Sequence, residues 1–162
     1  MKKLLISIFL IYGSLYANLY EDGLVAYSNG ENEEVVKLWT TSCDNLNMKS
    51  CSSLGTLFKK GDGVKKDIQK AISLYNKACE ADDMAGCYNL ASLYEEGKGL
   101  KQDQKKALTY YIKTCDNAYA KGCHALGLAY AYGQGVPQDK HKATQYYKKA
   151  CKAGNIASCY KL

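Results

Sequence analysis

The chain has 162 residues, enough for one domain of ordinary size and too few for two large ones. All 22 basic residues are lysines, so the chain carries no guanidinium group of the kind that grips phosphate and reads guanine. The formal net charge is +6, but the lysines are spread along the chain, which does not favour nucleic-acid binding. With 47% apolar residues and a single proline, the composition excludes disorder and a collagen-like repeat.

Residues 1–17 have the order of a secretory signal peptide. Lys2 and Lys3 precede an apolar stretch at residues 4–12, and Ala17 provides a small residue for cleavage. The stretch is too short for a permanent helix across a bilayer about 30 Å thick. A first core helix is the alternative, and it fits the two leading lysines less well. The sequence therefore predicts a secreted or periplasmic protein with no membrane span after cleavage.

The eight cysteines follow a fixed spacing. Seven residues separate the members of each pair, and the pairs recur every 36 residues, at Cys43, Cys51, Cys79, Cys87, Cys115, Cys123, Cys151 and Cys159. Asp67, Asp103 and Asp139 keep the same step, and so do glycines, alanines and aromatic residues. A period of this length is typical of a solenoid built from small supersecondary units.

Each unit contains two helical patterns. In residues 84–96, apolar side chains recur at positions i, i+3, i+4 and i+7, starting from Cys87. Gly97 is placed to end this helix, and Asp103 is placed to cap the next one with its carboxylate. Trp39 and the tyrosines that keep the 36-residue step are predicted to fill the core. The pattern therefore predicts an all-α protein of helix pairs.

The repeat also predicts how the chain is divided. The first unit departs from the rule, because its glycine-containing connection is five residues shorter than the others. The last unit stops three residues after Cys159, which suits a terminal cap. We predict a signal peptide at 1–17, a degenerate N-terminal repeat or cap at 18–47, repeats at 48–83, 84–119 and 120–155, and a truncated C-terminal stub at 156–162.

The cysteine spacing constrains what the cysteines can do. Two residues eight positions apart in one helix have Cα atoms about 12 Å apart, beyond the ~7 Å limit for a disulfide. The chain must therefore turn between them for a bond to form. Metal binding is the rival interpretation, but zinc sites prefer two to four residues between cysteines. We predict disulfides that join the end of one helix to the start of the next, pairing Cys43–Cys51, Cys79–Cys87, Cys115–Cys123 and Cys151–Cys159.

The segment AGCYNLASLYEEGKGLKQDQKKALTYYIKTC, residues 85–115, resembles the Sel-like repeat family of tetratricopeptide-related proteins. With a C-x7-C pair in every unit and a secretory leader, residues 20–162 are most similar to the Helicobacter cysteine-rich protein family. The resemblance implies a right-handed αα-solenoid of 36-residue repeats and a secreted protein. It also implies penicillin binding with slow β-lactam hydrolysis, and hence a link to antibiotic resistance.

The motifs of known hydrolases are largely missing from the sequence. Only Ser158 with Lys161 matches the S-x-x-K of serine β-lactamases, and no SDN or KTG partner occurs. Ser158 also takes the repeat position of Gly86 and Gly122, which favours a packing role. The two histidines are too few and too dispersed for a metallo-β-lactamase. We therefore predict no catalytic residue, no metal ligand and no cofactor.

Binding residues are better candidates than catalytic ones. Solenoids of this class usually bind along the concave surface lined by the first helix of each repeat. The side chains off the apolar face of those helices are Ser53, Thr56, Lys60, Asn89, Ser92, Glu96, His124, Leu128 and Tyr132; ordinary solvation is the alternative for each. Two functions compete: a monomeric module that binds a protein, a peptide or a peptidoglycan-like fragment, and a penicillin-binding protein with slow β-lactam hydrolysis.

We predict that export removes the signal peptide near Ala17. Mass spectrometry of the native protein should give a mature chain that begins close to residue 18. A variant in which Lys2 and Lys3 are both glutamate should keep the full mass, because the positive segment of a signal peptide directs its insertion. Wild-type protein that retains Met1 in the cytosol would contradict both export and an oxidising compartment.

Overall fold

The computed structural model describes residues 18–162, and the predicted signal peptide, residues 1–17, lies outside them. Within the described residues every regular element is a helix, as predicted. Helix α1 occupies residues 18–29. It is followed by α2 (Asn32–Asp44), α3 (Met48–Lys60), α4 (Ile68–Glu80), α5 (Met84–Glu96), α6 (Gln104–Asp116), α7 (Ala120–Tyr132), α8 (Lys140–Lys152) and α9 (Ile156–Cys159).

The helix boundaries follow from local chemistry. Asp67, Asp103 and Asp139 cap α4, α6 and α8, each side chain accepting a 2.9 Å hydrogen bond from the backbone N–H three residues on. Such caps satisfy donors that have no partner within the helix. Gly97 ends α5 with φ +66°, a left-handed conformation that glycine accepts without strain. The predicted helix over 84–96 and the predicted cap at Asp103 are both confirmed.

The described helices belong to two compact units, the first ending at Ala81 and the second beginning at Asp82. In the first unit α2 packs on α3, and α3 packs on α4. In the second unit α5 to α9 pack on one another in sequence order. No helix of residues 18–162 is long and apolar enough to cross a membrane.

Aromatic rings on the second helix of each pair fill the core. Trp39, Tyr75, Tyr111 and Tyr147 are at most 5% exposed, which confirms their predicted packing role. Tyr147 lies directly on Gly127, where an added Cβ would come within 2.4 Å of the ring. The small residues of the repeat therefore admit a tyrosine ring between neighbouring helices.

Disulfides close the turns between helix pairs. Cys43–Cys51, Cys115–Cys123 and Cys151–Cys159 are bonded as predicted, with Cα atoms 4.8, 4.5 and 4.9 Å apart. Cys79 and Cys87 are each disulfide-bonded too, so none of the eight cysteines is a free thiol. Because thiolates are the metal ligands, this oxidation removes the zinc interpretation. Among the described residues no cluster of three metal-ligating side chains occurs.

The turn inside each disulfide loop has an unusual backbone. Leu46, Asp82 and Ala118 occupy the same repeat position, and their φ angles are +66°, +59° and +57°. Gly154 follows at the next step with φ +94°. A left-handed conformation costs a residue other than glycine about 1–2 kcal/mol. A disulfide that closes a nine-residue loop stabilises by about 2.5 kcal/mol in the chain-entropy account, so it can offset that strain.

We expect the last disulfide to be reduced first. Cys159 is exposed and Cys151 is half-buried, whereas the other two pairs described here are at most 4% exposed. A small thiol reductant reaches an exposed sulfur without local unfolding. Brief reduction, alkylation and peptide mapping should therefore label Cys151 and Cys159 ahead of Cys115 and Cys123. Labelling of these pairs at one rate in the folded protein would contradict the expectation, and denatured protein supplies the equal-rate control.

Candidate functional site

The structure brings Ser158 and His124 together from consecutive repeats. His124 Nδ1 lies 2.7 Å from Ser158 Oγ. The Ser158 hydroxyl donates to Asn155 Oδ1 at 3.0 Å, and that oxygen also accepts the Ser158 backbone N–H. Asn155 Oδ1 can only accept, so the Ser158 hydroxyl is its donor, and the direction of the Ser158–His124 hydrogen bond depends on the tautomer of the imidazole. The His124 ring also contacts the Tyr147 ring, with centroids 5.8 Å apart.

This geometry does not prepare Ser158 as a nucleophile. Ser158 is fully buried, and its hydroxyl donates to Asn155, so its oxygen is closed to a substrate. Burial lowers the pKa of His124, and the positive charge of Lys161 lowers it further. The cluster therefore keeps His124 neutral and joins α7 to α9. Ser50 holds the equivalent position in the first unit, where its hydroxyl bonds to Ser42 Oγ at 2.8 Å.

A pocket in the first unit contains three of the predicted binding residues. It has a volume of about 200 Å³ and is lined by Leu24, Tyr27, Trp39, Ser53, Thr56, Leu57, Lys60 and Asp62. Trp39, the only tryptophan of the chain, donates from Nε1 to Tyr20 O at 3.1 Å. The Tyr27 hydroxyl donates to Asp62 Oδ2 at 2.5 Å, and this hydrogen bond raises the pKa of Tyr27.

Two of the predicted residues of α5 are joined by a hydrogen bond, and the third, Asn89, is half-buried. Ser92 Oγ donates to Glu96 Oε1 at 2.7 Å, and Glu96 is paired with Lys98. Glu95, which sequence reasoning missed, accepts the hydroxyl of Tyr111 at 2.7 Å. Burial and this carboxylate raise the pKa of Tyr111. The spacing offered one signal for Glu95. The same repeat position holds Lys59 on α3, and a position that faces the core would not hold a charged residue in both repeats.

The predicted residues of α7 differ from one another in exposure. His124 and Leu128 are half-buried, whereas Tyr132 is 66% exposed. Tyr132 lines an open cavity of about 450 Å³ with Ala131, Lys140, Ala143, Thr144, Tyr147, Tyr160 and Lys161. The nine predicted residues thus all lie on α3, α5 and α7; three of them line the pocket beside Trp39, which we call the Trp39 pocket, and Tyr132 lines the open cavity.

Helix pairs with these repeated glycine, tyrosine and cysteine positions define an all-helical repeat protein. The Sel1 repeat family model matches residues 49–83, 85–119 and 120–155. The chain therefore belongs to the Sel1 repeat family, as the sequence resemblance predicts. No curated protein matches the chain at a significant level.

Solved structures support the same assignment. A Sel1 repeat protein from Oxalobacter formigenes is 25% identical with a TM-score of 0.81, the match covering 94% of this chain and 65% of that one. A protective antigen of uropathogenic Escherichia coli with an SLR fold is 25% identical with a TM-score of 0.80, covering 90% and 32%. Cysteine rich protein B of Helicobacter pylori is 30% identical with a TM-score of 0.66, covering 82% and 95%. The chain thus spans less than two thirds of the first two relatives and nearly all of the third.

We expect His124 to make stability depend on pH in mildly acidic solution. Its pKa is lowered in the folded state from 6.5, so the unfolded chain binds a proton more readily. The free energy of unfolding should therefore fall as the pH drops below about 6.5. Above that pH His124 is neutral in both states, and its protonation should cause no loss of stability. Urea denaturation of the oxidised protein at several pH values measures this dependence.

The two histidines provide a matched comparison for that experiment. His124→Gln should flatten the pH dependence between about pH 7 and 5.5, below which carboxylates begin to titrate. His141→Gln removes the other histidine, which is exposed and lies outside the His124–Ser158 contact, and serves as the comparison variant. Equal slopes in both variants would show that the His124–Ser158 contact does not govern the effect.

Proposed function

We propose that the protein is an exported module that binds peptides or proteins through the first helices of its repeats, α3, α5 and α7. Sel1 repeats typically mediate protein–protein interaction, which supports this class of function. Oxidised cysteines are typical of periplasmic and extracellular proteins, which supports export. The similarity to a Helicobacter cysteine-rich protein supports the same compartment.

The Trp39 pocket carries the proposal. Its volume of about 200 Å³ is below the 300–1,000 Å³ typical of pockets that enclose a whole small molecule. That volume accommodates a single side chain. Leu24, Leu57 and Trp39 supply apolar surface, while Lys60 and Asp62 supply one charge of each sign. Such a pocket suits the anchor residue of a peptide whose main chain continues beyond it.

Variation along the first helices supports selective recognition. Lys60, Glu96 and Tyr132 hold one repeat position on α3, α5 and α7, and all three are exposed. This position therefore holds a cation, an anion and an aromatic ring in three successive repeats. A position needed for packing would keep one residue type in all three. Differences of this kind let one scaffold discriminate among partners.

The alternative function, penicillin binding with slow β-lactam hydrolysis, has no support in the surroundings of Ser158. Ser158, the residue of its single matching motif, is buried and hydrogen-bonded to Asn155 and His124. The serine therefore performs the packing role that its repeat position predicts.

A phage-displayed library of random peptides, selected on the oxidised mature protein, tests the proposal. Synthetic peptides made from the binders should change the fluorescence of Trp39, which is the single tryptophan of the chain. Ser53→Phe should weaken these peptides at least tenfold, because the new ring fills the pocket and displaces an anchor worth about 1.5–3 kcal/mol. Ser73→Phe is the matched control, an exposed serine on α4 away from the pocket, and should change the affinity less than about twofold.

Two results would contradict the proposal. One is equal peptide affinity in the two phenylalanine variants. The other is a response of Trp39 to labelled penicillin or to a peptidoglycan fragment when no selected peptide produces one.

A further inference from the structure

The end of the described chain carries the net charge of the whole protein. Residues 140–162 contain six lysines and no aspartate or glutamate, whereas residues 1–139 contain 16 lysines and 16 acidic residues. The lysines are therefore spread along the chain, but the acidic residues that offset their charge are absent from residues 140–162. All six are exposed, and none of them pairs with a carboxylate within residues 18–162: Lys140, Lys142, Lys148, Lys149, Lys152 and Lys161.

Two of these lysines share a cavity with tyrosines. Lys140 and Lys161 line the open cavity of about 450 Å³ described above, which we call the basic cavity. Tyr132 and Tyr160 also line it, with 66% and 85% of their surface exposed. Its lining contains no acidic residue. The basic cavity therefore combines positive potential, hydroxyl donors and apolar ring surface in one concave place.

We propose that the basic cavity binds a peptide segment in which a carboxylate side chain stands next to an aromatic or aliphatic one. The ammonium groups of Lys140 and Lys161 attract the carboxylates, and the tyrosine rings pack against the apolar neighbour. Charge complementarity identifies this occupant, since the charged side chains of the lining are both lysines and only an acidic segment gains electrostatic attraction from them.

The chemistry of the lining favours a peptide over a polyanion. Phosphate backbones carry uniform charge and would engage all six exposed lysines alike. The chain also has no arginine for bidentate phosphate contacts. The basic cavity adds apolar surface that only an amphipathic segment would cover. It shares no residue with the Trp39 pocket, so either site can exist without the other.

Matched lysine substitutions test this inference. Lys140 and Lys142 are both exposed in the first turn of α8, but only Lys140 lines the basic cavity. Lys161 also lines the basic cavity, whereas Lys148, which is likewise exposed, does not. The double variants Lys140→Gln with Lys161→Gln and Lys142→Gln with Lys148→Gln therefore lose equal charge. Circular dichroism should show both folded, because each replaced side chain is exposed.

The probes are peptides from the same random library, selected on wild-type oxidised protein and then sorted by loss of binding to the first double variant. We expect these peptides to be enriched in Asp or Glu beside Phe, Tyr, Trp or Leu. Their affinity should fall less than twofold in the second double variant, and it should weaken with added salt. Ser53→Phe should not change it, which separates this site from the Trp39 pocket.

Four outcomes would overturn the inference. They are an equal loss of affinity in both double variants, an absence of acidic residues in the sorted peptides, and tighter binding of single-stranded DNA or phosphatidylglycerol vesicles that depends on all six lysines. The fourth is concentration-dependent self-association that the first double variant abolishes, which would make a second copy of the chain the occupant.

Discussion

The covalent closure of the turn between helix pairs is the constraint on which the rest of the structure depends. A left-handed residue reverses the chain at Leu46 and Ala118, at a cost of about 1–2 kcal/mol each. The disulfides that close these two turns contribute about 2.5 kcal/mol apiece in the chain-entropy account. Because the cysteines bracket the turn, they fix where the next helix begins. Each following ring and cap then has a defined neighbour.

The buried tyrosines show how a rigid repeat acquires local chemistry. Tyr75 and Tyr111 hold the same position, yet the first bonds to Thr56 at 3.1 Å and the second donates to Glu95. Burial raises the pKa of Tyr75 to about 12, against the lowering effect of Thr56. Both phenols therefore remain neutral donors or acceptors in the packing. The tyrosine ring determines how the two helices pack. The residue on the first helix that bonds to its hydroxyl, Thr56 or Glu95, determines whether the contact is neutral or charged.

Local features of the fold were predictable from the sequence because their causes lie within a few residues. Three examples each depend only on residues close by in the sequence: the cap at Asp103, the helix end at Gly97 and the pairing of Cys115 with Cys123. Because the sequence repeats every 36 residues, a feature predicted in one repeat could also be predicted at the equivalent position of the next. The same step placed the buried rings correctly, since a core position must repeat when the unit repeats.

The site was less predictable because it depends on contacts between units of the repeat. Ser158 and His124 are 34 residues apart. Predicting their hydrogen bond would require knowing which side chains of consecutive repeats face each other. Glu95 was missed for a related reason, since the register of α5 alone does not show that it reaches Tyr111. The basic segment was missed because lysines were counted without the acidic residues beside them. A signed count along the chain would have found it.

The unequal burial of the disulfides means that the two proposed binding surfaces differ in how they tolerate reducing conditions. The exposed Cys159 precedes Tyr160 and Lys161, two walls of the basic cavity, and its bond to Cys151 holds α9 on α8. The Trp39 pocket instead lies in the unit held by the buried Cys43–Cys51 bond. Mild reduction should therefore dismantle one surface and spare the other. The redox state of the compartment would then set how many partners a single molecule can hold at once.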